Sequence, residues 1–178
     1  MPAGSTYSTI ATTTLGSAAI SYTFSSIAST YTDLVLVTNA ATTHSESTFL
    51  YLRFNSDSGT NYSATELYGD GTSAASARST NRSRGWIGFD IGMSATLGQN
   101  VGIVNIMNYA NGSTYKTWLS RLNRAGGSYD YPGTNAIAGL WRNTSAITSV
   151  EIRASRGDVD YNFATGSTFT LYGIQSAT

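Results

Sequence analysis

Hydrophobic and polar positions alternate along most of this chain, and no window places apolar residues at helical spacing for three turns. In "YTDLVLVTN" (31–39), Leu34 and Leu36 fall on one face and Val35 and Val37 on the other, the pattern of a strand buried on both sides. "TFLYLRF" (48–54) points Leu50, Leu52 and Phe54 one way and Phe49, Tyr51 and Arg53 the other. "VGIVNIMNY" (101–109) sets Val104 and Ile106 against Ile103, Asn105 and Met107, and "YKTWLSRL" (115–122) follows across Asn111-Gly112, a strong hairpin dipeptide. "AITSVEIRA" (146–154) buries Ile147, Val150 and Ile152 and exposes Glu151 and Arg153. "STFTLYGI" (167–174) alternates Phe169 and Leu171 with Tyr172 and Ile174.

Weaker strand patterns cover Thr9–Thr14, Ala18–Phe24, Tyr62–Tyr68, Gly85–Ile91 and Asn135–Arg142, separated by Gly, Asn and Ser clusters suited to turns. Ten or so short strands without intervening helices predict an all-β, antiparallel β-sandwich, since a parallel sheet needs crossover helices. The expected form is jelly-roll-like, eight strands with extra edge strands and no substantial helix. The 178 residues suit a single domain, 1–178, with a short N-terminal arm at 1–8 and a long polar loop at 69–85. The last strand should fill the core through Phe169 and Leu171.

Composition narrows the function. Charged residues make up 11% of the chain, against roughly 25% in an average soluble protein; Ser and Thr, 51 together, take their place. Ten basic residues balance ten acidic ones, which argues against a general nucleic-acid binder. Weak self-repulsion and a Ser/Thr/Tyr surface fit a protein packed against copies or partners. Lys116 is the single lysine; Arg, the other nine basic residues, suits planar contacts at interfaces. There is no cysteine, hence no disulfide frame. The opening "MPAGSTYSTI" lacks the basic and apolar regions of a signal peptide, and no apolar run approaches the ~20 residues of a membrane span. A chain made in its host's cytoplasm, with no membrane partner, is expected.

Reactive chemistry finds little support. His44 has only Ser45 and Glu46 close by and no GxSxG elbow accompanies it, so it reads as a loop residue. Glu46, Glu66, Asp70, Asp90, Glu151, Asp158 and Asp160 could supply a glycosidase pair, but no spacing selects one. "NSDSGTNYSATE" (55–66) puts Asn55, Asp57, Gly59, Asn61 and Glu66 at calcium-loop positions, yet Thr60 stands where the sharp turn needs Gly. A plain turn is the better reading. Arg156-Gly157-Asp158 matches an adhesive tripeptide that chance supplies often. Trp86, Trp118 and Trp141 could form a sugar platform, though Trp118 and Trp141 sit inside strand patterns and read as packing. No catalytic, cofactor or metal site is assigned.

Five blocks point to a family: "YTDLVLV" (31–37), "LRFNSDSGTNYSATELYGDG" (52–71), "VNIMNYANGSTYKTWLSR" (104–121), "AGLWRNTSAITSVEI" (138–152) and "FATGSTFTLYGI" (163–174). In this order they resemble successive blocks of small tailed-phage virion proteins, found in phages of marine and freshwater bacteria, cyanobacteria included. The resemblance implies a β-sandwich structural protein of the particle. Its best-fitting role is a head cement or decoration protein, a trimer on the lattice of the major capsid protein, located on the capsid surface. Such families also supply tail and fibre components, so a receptor- or carbohydrate-binding module is the alternative. The blocks are framework and carry no site residues. Tyr7 in the arm and Arg78, Arg82 and Arg84 in the polar loop are the candidate partner contacts, as aromatic and Arg anchors.

Overall fold

The computed structural model describes residues 6–125 and 132–175. Among them lie thirteen β-strands and no α-helix, hence no helix long and apolar enough to cross a membrane. In chain order they are β1 (Tyr7–Thr14), β2 (Ser21–Phe24), β3 (Asp33–Asn39), β4 (Thr48–Phe54), β5 (Tyr62–Gly69), β6 (Ala74–Arg82) and β7 (Gly85–Met93). Then follow β8 (Asn100–Met107), β9 (Lys116–Arg124), β10 (Gly133–Trp141), β11 (Val150–Arg156), β12 (Val159–Tyr161) and β13 (Thr168–Ile174).

Two antiparallel sheets pack as a sandwich. The larger runs β1-β13-β3-β8-β9-β10-β5-β6; the smaller runs β12-β11-β4-β7, with β2 also paired to β11. From β1 to β4 each strand crosses to the opposite sheet. The β5–β6 and β9–β10 hairpins break that alternation and lengthen the larger sheet beyond β8.

The period-2 pattern explains the layering. In β9 every second residue from Lys116 to Arg124 is buried, and β10 repeats this from Gly133 to Trp141. Leu34, Leu36, Leu50, Leu52, Val104, Ile106, Trp118, Phe169 and Leu171 meet between the sheets, all fully buried. β13 sits inside the larger sheet, with Leu171 opposite Ala11 of β1 and Leu36 of β3. Beyond β8 the larger sheet passes over β7. Ala64 of β5 and Ile137 of β10 cover Tyr51 and Trp86, making a second, smaller apolar cluster.

Three expectations need correction. Most of the segment 69–85 is strand β6, not a loop. Its nine residues, AASARSTNR, bury only Ser79 and pair with β5 through their backbone, so this edge strand carries no hydrophobic alternation to read. The turn before it is built by Asp70, whose Oδ1 accepts hydrogen bonds from the backbone and hydroxyls of Thr72 and Ser73. Tyr7 and Ser8 of the expected arm 1–8 belong instead to strand β1, where they pair with Ile174 and Gly173 and satisfy backbone groups on that edge of β13. Met1–Ser5 lie outside the described residues. The 146–154 segment becomes strand only at Val150; before it, Ile147 enters the core and donates its N–H to Tyr109.

Candidate functional site

The residues with candidate chemistry are spread across the sandwich. His44 accepts the Glu46 N–H at Nδ1 and rests edge-on against Tyr161, so it stabilises a loop. Glu46 pairs with Arg156 at 2.6 Å. Glu66 is fully buried and accepts from Asn135 and from the Phe89 N–H. The calcium-like segment is the β4–β5 turn. Asn55 Oδ1 accepts the N–H groups of Thr148 and Ser149. Asp57 accepts from Gly59 N, Asn61 Nδ2 and Trp141 Nε1. Oxygens that take N–H donors in this way are directed at protein, not at a cation. Among the described residues, no group of three or more His, Asp or Glu gathers.

Asp57 yields a prediction. Burial pushes its carboxyl up, but the hydrogen bonds from Asn61, Trp141 and Gly59 outweigh this and hold it below the usual carboxylate value. A depressed folded pKa gives stability that is present above the unfolded value, near 3.9, and lost as pH falls through the folded one. Asp57→Ala also strands the indole N–H of the buried Trp141. The expected cost at pH 7 is about 1–3 kcal/mol. In urea titrations the gap from the parent chain should shrink below the carboxylate range.

The outward face of the smaller sheet carries a ladder of charges. Arg53, Glu151, Arg153, Asp160 and Arg84 alternate in sign across it, with Glu151 taking Arg53 and Arg153, and Asp160 taking Arg153 and Arg84. All are half-buried, which corrects the expectation that Glu151 and Arg153 are exposed. Beside the ladder lies a cleft of about 280 Å³ lined by Phe49, Tyr51, Arg82, Arg84, Phe89 and Asp158 among others. Phe89 lies flat on Trp86 at 4.2 Å and leans on Phe49 at 4.5 Å. The Arg84 guanidinium covers the Tyr51 ring at 4.6 Å and donates to Asp160 and to the Gly157 carbonyl. The Arg-Gly-Asp tripeptide is thus the β11–β12 hairpin turn, with Gly157 at φ 60°.

The outward face of the larger sheet differs in kind. Register places Met107, Asn105, Ile103 and Val101 of β8 beside Thr117, Leu119, Arg121 and Asn123 of β9. Ala136 and Ala138 of β10 follow, then Leu67 and Thr65 of β5. Leu67 is 62% and Leu119 51% exposed. They line a shallow depression of about 440 Å³ in which Arg121 is the one charged residue. A solvated antiparallel face normally shows polar side chains; this one interleaves aliphatic side chains with Asn105, Thr117, Asn123 and Thr65 and carries little charge.

Of the four candidate contacts, the fold brings two together. Arg82 and Arg84 share the aromatic cleft. Arg78 sits on β6 opposite Thr65, at one edge of the larger sheet, while Tyr7 lies on β1 at the other edge, edge-on to Tyr172. The Leu67–Leu119 depression was not foreseen. Its signal was present in β9, where Leu119 falls on the opposite parity to Trp118 and Leu122. The lone lysine was missed too. Lys116 is fully buried, donates Nζ to the Thr114 and Thr144 carbonyls, and has its pKa pulled down by burial. Compared with known proteins, the chain matches no family model, and no curated protein matches it in sequence.

Proposed function

We propose that the chain is a non-enzymatic structural subunit of a tailed-phage particle, a cement or decoration protein that binds the head lattice of the major capsid protein as a homotrimer. The observation that carries this reading is the broad, charge-poor outward face of β8, β9, β10 and β5. Exposed contiguous apolar surface marks interaction sites on soluble proteins. Burying half-exposed Leu119 or Leu67 contributes on the order of 1 kcal/mol each. Such contacts are modest singly, but repetition at symmetric lattice positions multiplies them into avidity. Zero net charge adds little repulsion between neighbours.

The strand order supports a jelly-roll reading. β1-β13-β3-β8 faces β2-β11-β4-β7, and the β5–β6 and β9–β10 hairpins are additions to the first sheet. Those additions build most of the charge-poor face, so the elaboration of the fold and the docking surface coincide. Cryo-electron microscopy of purified particles tests the placement. Copies over the head lattice are expected; copies confined to the tail, or none, overturn it.

A further inference from the structure

We propose that the cleft between β4, β7 and the β11–β12 turn binds a single acidic sugar residue, a pyranose carrying a carboxylate. The inference is independent of where the chain sits on a particle. Tyr51 and Trp86, each 4% exposed, are explained by packing under Ala64 and Ile137. Phe49 and Phe89 pack against the same cluster, Phe89 flat on Trp86, yet both stay half-buried and line open space. A cleft of about 280 Å³ lies at the small end of ligand sites and suits one ring-sized group.

The charges around it select the ligand. Arg82 bonds Ser79 through Nε and makes no ion pair, and Asp158 makes none either, among the described residues. Both are exposed. Arg84 is already committed to Tyr51, Asp160 and Gly157, so it is a positioning residue that holds the turn presenting Asp158. A carboxylate offers Arg82 a bidentate acceptor. Vicinal hydroxyls offer Asp158 donors, and the C–H face of a pyranose offers the phenyl rings apolar contact. A nucleotide fits worse, because the cleft is too small for base, ribose and phosphate together. An aromatic acid would leave Asp158 without a donor.

Saturation-transfer NMR on the full chain with D-glucuronate, D-galacturonate, D-glucose and benzoate tests this. At least one uronate should bind in the millimolar range, about tenfold or more tighter than glucose. Arg82→Gln should erase that preference, and Asp158→Asn should weaken both sugar classes, with unchanged melting temperatures because both side chains are exposed. The proposal fails if neither uronate shows transfer at about 50 mM, a concentration that detects even weak binding. It fails equally if the two variants bind like the parent, or if benzoate binds as tightly as the uronates.

Discussion

A chain lacking Thr168–Ile174 is expected to lose its cooperative melting transition altogether. β13 is hydrogen-bonded along both edges, to β1 and to β3, and among the described residues β1 pairs with no other strand. Phe169 and Leu171 are fully buried, Phe169 stacked on Tyr22 and edge-on to Phe163. Their burial alone contributes about 1.5–3 kcal/mol each. Removing the strand also opens two ladders, one strand in from the edge of the larger sheet, and strands β1 against solvent. Domains of this kind hold only about 5–15 kcal/mol of net stability, so the loss consumes most or all of it. Circular dichroism during heating is the measurement. A truncated chain that still melts in one sharp step, within a few degrees of the parent, would show that β13 is dispensable.

The second large effect is expected at Gly139, where Gly139→Ala should cost about 3 kcal/mol or more through overpacking. A Cβ at Gly139 would lie 2.0 Å from Cε2 and Cζ2 of Trp118. The indole cannot retreat. Its Nε1 donates to the Trp86 carbonyl at 2.9 Å, Phe54 meets it edge-on, and at Gly85 of β7 an added Cβ would lie only 2.5 Å from its Cη2. Trp118 thus occupies a slot that two glycines leave open, in β10 of one sheet and β7 of the other. For a domain of this length the cost corresponds to a melting temperature lowered by roughly 6–12 °C. Gly112→Ala is the control, since nothing lies within 4 Å of its Cβ position; it should stay within about 0.5 kcal/mol of the parent.

The strands with large apolar residues were legible because burial on one face imposes a period of two. Leu50, Leu52 and Phe54, or Val104 and Ile106, announce both the strand and its inward face. β6 was illegible by that signal, since it packs with little more than backbone, although Asp70-Gly71 ahead of it is a hairpin dipeptide. β12 is three residues long, too short for any period. Trp118 and Trp141 read correctly as packing residues, both fully buried. The site was only partly legible. Arg82 and Arg84 stood out as cations in a polar stretch, but their neighbours Phe49 and Asp158 come from β4 and from the β11–β12 turn. Pairings between distant segments such as β4 with β11 leave no local mark in a sequence. The charge-poor face was hidden for another reason. Exposed Leu67 and Leu119 look like core residues until register shows which way they point.

The most direct test of the central claim is which surface this subunit turns toward its neighbours in a cryo-electron microscopy map of the assembled particle. The sheet face formed by β8, β9, β10 and β5 should be buried there, with Leu119 and Leu67 against the adjoining protein. A map in which the subunit is present and that face is open to solvent would contradict the claim.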